Sequence, residues 1–84
     1  MIKFVISTED NNNLPGIVSK YFPGFRITLA QGFWKGKPEL ASIIEIVGHR
    51  HDRVTVENLV DEIKRKNKQE AVLLEEYQVL ADFI

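Results

Sequence analysis

The order of the predicted strands and helices constrains the fold more than any other feature of the sequence. It is given by the spacing of the apolar residues, which alternates in some segments and follows a helical stripe in others. Residues 2–8 alternate in the way that is typical of a strand. Asn13 then precedes a short apolar stripe with helical spacing, and Pro15 lies near its first turn. Residues 25–34 and 39–48 are again β-rich, and the turn signal KGKP between them predicts a hairpin.

The remainder of the chain predicts one further helix and one further strand. After the sequence GHRHDR, Thr55 can act as the N-cap of a helix. The apolar stripe of this helix consists of Val56, Leu59, Val60 and Ile63. Glu62 and Lys66 form an i, i+4 pair that we expect to face water. Residues 71–84 return to strand-like composition, and their length indicates a bend or a second short strand near Glu75.

This order predicts an α+β, ferredoxin-like β-α-β-β-α-β fold, in which a four-stranded antiparallel sheet carries two helices on one face. A chain of 84 residues, 44% of them hydrophobic, has room for a single such domain over residues 1–84. A domain this small buries only about 60% of its unfolded surface. Because the chain has no cysteine, we expect extra stability to come from another subunit or from a metal ion.

The predicted plan leaves one sheet face without helices. The residues expected on it are Val5, Thr28, Ala30, Ile43 and Val47, among Lys3, Arg26 and Glu45, with Val72 or Leu74 from the last strand. Leu29 is expected on the other face, toward the helices. An uncovered face of this apolar content predicts a homo-oligomer, in the simplest case a dimer, whose interface contains Val5, Ala30, Ile43 and Val47. The alternatives are that residues 71–84 fold over the face or that it stays exposed.

The sequence GHRHDR holds both histidines of the chain, His49 and His51. On an extended backbone the two imidazoles would share one side, and Asp52 or Glu45 could complete a three-ligand metal site. The neighbouring arginines repel a cation, and a polar run that starts with glycine is typical of a connector. We therefore predict a solvated loop and no cofactor, with a ligand or metal site at His49, His51 and Asp52 as the alternative.

Two aromatic residues and two lysines, namely Phe33, Trp34, Lys35 and Lys37, lie at the tip of the predicted hairpin. Aromatic rings flanked by cations can bind a protein partner or stack on a nucleobase. The alternative is that one ring closes the end of the core while the other shields the hairpin. The central strands lack the aromatic residues with which a sheet of this kind binds RNA, and the net charge is −1. Nucleic-acid binding through Trp34 therefore ranks behind protein binding.

The sequence contains no nucleophile elbow, no phosphate-cradling glycine loop, no HExxH and no cysteine nucleophile. We therefore predict a non-enzymatic protein-interaction module, with a small dimeric enzyme that uses His49 or His51 as the alternative. The first residues do not resemble a secretory signal. No window approaches the roughly 18 apolar residues of a membrane helix. The expected location is the cytoplasm, without membrane contact.

The stretches YFPGFRITLAQGFWKGKPELASIIEI and KNKQEAVLL resemble a family of small uncharacterised bacterial and phage proteins with a ferredoxin-like fold. The shared features are an aromatic-Pro-Gly turn at residues 22–24, a Gly-x-Trp strand end at 32–34, a serine at Ser42 and a Gln-Glu-small-Val-Leu run at 69–73. The first helical segment is shorter here than in that family. The resemblance implies the fold, assigns no activity, and suggests a phage-encoded effector that acts on a host protein.

Overall fold

The computed structural model describes residues 1–84 and contains four strands and two helices in the predicted order. The elements are β1 (Ile2–Glu9), α1 (Leu14–Ser19), β2 (Arg26–Trp34), β3 (Lys37–Gly48), a 3₁₀ turn (Arg50–Asp52), α2 (Arg53–Asn67) and β4 (Leu73–Gln78). The strands form one sheet in the order β2-β3-β1-β4, and every neighbouring pair is antiparallel. The predicted α+β plan, compatible with a ferredoxin-like fold, is confirmed.

The hydrophobic core lies between the two helices and one face of the sheet. Its strand residues are the alternate positions Ile2, Phe4, Ile6, Ile44 and Ile46. Its helix residues are Leu14, Ile17 and Val18 of α1 and Val56, Leu59 and Ile63 of α2. Because side chains alternate along a strand, burial of one set leaves the intervening residues on the second face, which is here called the open face.

The hairpin between β2 and β3 extends beyond the rest of the sheet. Its two-residue turn has positive φ at Lys35 (52°) and Gly36 (76°), as a type I′ turn requires. Glu9, the last residue of β1, pairs with Ala41, so residues 37–40 of β3 pair with β2 alone. We call residues 29–40 the outer hairpin.

Leu29 lies on the predicted helix side but is 62% exposed, so its assignment to the core was wrong. Six residues of α1 span about 9 Å, whereas nine residues of β2 span about 30 Å. The helix is therefore too short to cover the edge strand along its length.

Other predicted details also differ from the structure. The helix α2 begins at Arg53 rather than after a Thr55 cap. The strand β4 continues through Glu75 without a bend, and Leu74 faces the core because it pairs with Ile6. Residues 79–84, here called the tail, form neither helix nor strand. Three tail side chains, Leu80, Phe83 and Ile84, are 106%, 84% and 119% exposed, so the tail does not fold over the open face.

Candidate functional site

The open face carries the predicted interface residues on neighbouring strands. Val5, Ala30, Ile43 and Val47 are all half-buried. The strand register places Val5 beside Glu45, Ala30 beside Ala41, Ile43 beside Ser7 and Val47 beside Lys3. The structure thus brings the predicted interface residues onto one surface, where apolar and polar side chains are mixed.

Glu45 is the electrostatic centre of the open face. Its carboxylate accepts a hydrogen bond from Arg26 Nε at 3.0 Å and forms a second ion pair with Lys3. These two cations hold the pKa of Glu45 at about 2, well below the ordinary 4.5. The central acid of the face is therefore neutralised within its own chain.

The outer hairpin exposes apolar side chains on both of its faces. Phe33 and Trp34 are 67% and 65% exposed. Neither ring therefore closes the core, and the sequence-based alternative that one does so was wrong. The Lys35 ammonium lies 6.0 Å from the centre of the Trp34 ring. On the helix side, Leu29 and Leu40 are also exposed, so this end of the sheet presents a mixed aromatic, aliphatic and cationic surface.

The two histidines lie at the other end of the sheet, directly after β3. Their rings stack with a centroid separation of 5.4 Å and an interplanar angle of 15°. The Asp52 carboxylate accepts a hydrogen bond from the His49 backbone N–H at 2.8 Å and so closes the 3₁₀ turn. No group of three or more histidine, cysteine, aspartate or glutamate side chains is arranged to hold a metal ion. The segment predicted as a solvated loop exposes both histidines and forms a 3₁₀ turn that leads into α2.

Gly48 lies where this turn leaves the sheet. A Cβ atom at this position would lie 2.5 Å from Asp52 Oδ2, the oxygen that receives the His49 N–H. The glycine therefore allows the Asp52 carboxylate to approach the backbone. The glycine at the start of GHRHDR thus has a role in the local structure of the turn.

A cleft of about 250 Å³ opens at the base of the outer hairpin, where β1 ends. Its polar wall contains Asp10 and its apolar wall contains Leu14, Ile27 and Leu29. The hydroxyl of the fully buried Ser42 donates to Asp10 Oδ1 at 2.8 Å, which fixes the carboxylate at the cleft. Sequence reasoning did not single out Asp10, because its partner lies 32 residues away in the chain.

Glu62 of α2 is a second carboxylate whose surroundings differ from those expected. It is only 6% exposed and contacts the segment directly after α1, through an ion pair with Lys20 and a hydrogen bond of 2.7 Å from the Tyr21 hydroxyl. The hydrogen bonds from Lys20 and Tyr21 lower the pKa of Glu62. The expected water-facing pair with Lys66 was therefore wrong. Glu62 lies next to Leu59 and Ile63 on the buried stripe of α2, and this position in the sequence could have indicated that Glu62 is buried.

Polar side chains connect the end of α2 with the end of β1. The Asn67 amide donates to Thr8 Oγ1 at 3.2 Å, to Gln69 Oε1 at 2.9 Å and to the Glu9 carbonyl at 3.1 Å. Asn11 Nδ2 donates in turn to Asn67 Oδ1 at 2.5 Å. This cluster fixes the chain segment that carries Asp10 and the cleft.

None of the helices has the length and apolar character needed to span a membrane. The expectation of a protein without a membrane helix agrees with this finding.

Comparison with known proteins shows the fold. No protein-family model matches the chain, and no curated protein matches it. A phage SAM lyase in complex with S-methyl-5'-thioadenosine is similar, with a TM-score of 0.72, 17% identity, and coverage of 92% of this chain and 80% of the lyase. The apo phage SAM lyase is similar at a TM-score of 0.67, with 17% identity and coverage of 99% and 91%.

The second similar fold is a DUF3240 family protein from Shewanella baltica OS155, with a TM-score of 0.73, 11% identity and coverage of 99% and 94%. The expected resemblance to small uncharacterised bacterial and phage proteins with this fold is confirmed at the level of structure. At these identities the likenesses establish the shared α+β fold.

Proposed function

We propose that the protein acts by binding, as a small homo-oligomer whose copies meet through the open face. The observation that carries this proposal is the position of Glu45 between Lys3 and Arg26, among the half-buried Val5 and Ile43. Burial of a charge is costly unless the charge is paired and hydrogen-bonded. A face whose central acid is already paired within the chain can be covered at a lower cost than one with an isolated carboxylate.

Ile43→Asp tests this contact. It places an unpaired charge in the interface, so we expect the mass measured by light scattering on a size-exclusion column to fall below that of the unaltered protein. Val54→Asp is the matched control, because Val54 is an exposed apolar residue of α2 and its replacement should leave the mass unchanged. An Ile43→Asp protein with an unchanged mass would contradict the open-face contact. Addition of a chelator should not change the mass of the unaltered protein.

The outer hairpin supplies the surface for a protein partner in this proposal. Phe33, Trp34, Lys35 and Lys37 combine exposed aromatic area with positive charge, which is the composition of many binding hot spots. Arg26 lies at the opposite end of β2 and is held by Glu45, so it does not add to a cationic patch at the tip. The basic character needed for nucleic-acid binding is correspondingly weak, and a phage-encoded effector of a host protein remains the use that we propose.

A second candidate function is binding of a nucleoside thioether, with SAM lyase-like chemistry. It is supported by the similar fold that was solved with S-methyl-5'-thioadenosine and by the cleft in which Asp10 faces apolar side chains. A nucleoside offers hydroxyl donors to a carboxylate and an apolar ring face to a leucine-lined wall. The positive sulfonium of SAM would also be attracted to Asp10. The two histidines lie away from this cleft and take no part in this candidate.

The test is to incubate the protein with SAM and to follow S-methyl-5'-thioadenosine by chromatography, together with calorimetric titration of the thioether. Asp10→Asn should weaken thioether binding about tenfold or more, because hydrogen bonds to charged groups are worth about 1.5–3 kcal/mol. Asp61→Asn is the control, since Asp61 is an exposed acid of α2. Absence of both product and binding heat would contradict this candidate.

A further inference from the structure

The tail and the outer hairpin both expose apolar side chains, and they lie at opposite ends of the sheet. Ile2 of β1 pairs with Gln78 of β4 and with Gly48 of β3, so the tail leaves the sheet at this end. Glu9 pairs with Ala41, so the outer hairpin projects from the other end. The tail therefore leaves the sheet at the end away from the exposed apolar side chains of the outer hairpin.

The distances prevent the two surfaces from meeting within one chain. From Gly48 to Ser42, the partner of Leu29 at the near end of the outer hairpin, β3 spans about 20 Å, and β2 lies three strand spacings of about 4.8 Å from β4, so the two are about 25 Å apart. The tail has six residues and reaches at most about 21 Å when it is fully extended. It would in addition have to reverse direction after β4. Contact between the tail and the outer hairpin can therefore form only between two copies.

We propose that the tail of one chain binds as an added strand along the free edge of β2 in a second copy. β2 is an edge strand of nine residues, so one row of its backbone N–H and C=O groups has no strand partner. An extended segment that pairs with such an edge satisfies these groups, as in other complexes formed by strand addition.

The side-chain spacing of the two segments fits this pairing. Leu29 and Phe33 are four residues apart and lie on the helix side of β2. Leu80 and Ile84 are also four residues apart, so in an extended tail both lie on one face and can cover the leucine and the phenylalanine. The same arrangement places Phe83 on the other face, the face of Trp34. In either direction of the tail Asp82 then lies opposite Gln31, where its carboxylate can accept a hydrogen bond from the exposed Gln31 amide.

This contact deepens the proposed function and rests on the proposal that the chain forms homo-oligomers. It makes the tail of a second copy the competitor of any other protein partner for Phe33 and Trp34. The contact is heterologous when the tail of each copy meets the hairpin of the next, and such contacts close into a ring if the rotation between copies closes and form an open filament if it does not. Leu29 also lines the cleft beside Asp10. The tail of a second copy therefore forms a wall of that cleft, whose 250 Å³ in one chain is less than the roughly 300–1,000 Å³ of pockets for drug-sized ligands.

Disulfide trapping tests the contact directly, because the chain has no cysteine of its own. Phe33→Cys chains are mixed with Leu80→Cys chains or with Ile84→Cys chains, oxidised, and resolved without reductant. We expect a covalent pair of chains in one of the two mixtures, a link with Leu80→Cys indicating an antiparallel tail and one with Ile84→Cys a parallel tail. Val54→Cys mixed with the same tail variants is the control and should give no link above background.

Trp34, the only tryptophan, gives a second measurement on the uncross-linked protein. Its emission should shift to the blue as the protein is concentrated, and Phe83→Asp should abolish the shift. If no mixture links above the control while Ile43→Asp still dissociates the oligomer, the tail contact is wrong and the open-face contact stands. If links form and Ile43→Asp leaves the assembly intact, the tail contact stands and the open-face contact is wrong. A single-chain mass at every concentration overturns both.

Discussion

Ile43 and Ile44 are adjacent in β3, yet they lie on opposite faces of the sheet and in different surroundings. Ile44 is fully buried beneath the helices, with Ile6 and Ile27 as its strand neighbours. Ile43 is half-buried on the open face, between Ser7 and Thr28. Because the two side chains are chemically identical, their comparison separates what the chain needs for folding from what it presents to another molecule.

The two paired carboxylates show the same difference between the faces. Glu62 accepts hydrogen bonds from Lys20 and Tyr21 and so connects α2 with the chain at the end of α1. Glu45 accepts from Arg26 and Lys3 on the open face. The first pairing joins the two helices that cover the core, whereas the second neutralises a surface that no element of the same chain covers.

The largest effect that we expect is the loss of stability when a core side chain is truncated. Ile44→Ala should lower the free energy of unfolding by about 2–5 kcal/mol, because it removes buried methyl and methylene groups and leaves a cavity. Ile43→Ala should cost about 1 kcal/mol or less in dilute protein, where the open face is uncovered. Urea titration of both variants at low protein concentration measures the difference.

The same pair of variants also tests the open-face contact. At high protein concentration the cost of Ile43→Ala should rise, because the lost side chain then belongs to an interface, whereas the cost of Ile44→Ala should stay constant. Equal losses for the two variants in dilute protein would show that the faces do not differ as described.

A smaller effect on stability is expected from acid, and it tests the pairing of each of the two carboxylates. The pKa of Glu45 is held at about 2 and that of Glu62 is also lowered, against an ordinary value of 4.5. Below pH 4.5 the unfolded chain takes up protons at these positions that the folded chain does not. This stability is therefore present above pH 4.5 and is lost as the pH falls, toward about 2 in the case of Glu45. Urea midpoints between pH 6 and pH 2.5 should therefore fall less steeply in Glu45→Gln and in Glu62→Gln than in the unaltered protein. A variant with an unchanged slope would show that its carboxylate is not held by its cations.

The fold could be predicted from the sequence because periodicity reports which side of an element is buried. Ile2, Phe4 and Ile6 alternate in β1, and Val56, Leu59 and Ile63 follow the helical stripe of α2, as the structure shows. The turn KGKP predicted the hairpin because its glycine readily adopts the positive φ that the turn needs.

Two features could not be predicted in the same way: how much of each strand the helices cover, and which side chains pair with residues far away in the chain. Leu29 has the alternation of a core residue, but its exposure depends on the length of α1, which is a different part of the chain. Asp10 is placed at the cleft by Ser42, and Glu62 is paired with residues of the first helical segment. These contacts join residues more than 30 positions apart, and no local pattern encodes them.

The smallest effect is expected at the turn after β3, which belongs to neither face. Replacement of both His49 and His51 by alanine should change the free energy of unfolding by no more than about 0.5 kcal/mol, because both side chains are exposed and the bond from the His49 backbone N–H to Asp52 does not need the imidazole. Asp52→Ala is the control, since it removes that bond and should cost about 1 kcal/mol, the usual value for a lost helix cap. Urea titration with and without a chelator measures both. A double-alanine variant that loses more than the Asp52→Ala variant, or that alone becomes insensitive to a chelator, would assign the histidines a binding role that the stacked rings do not indicate.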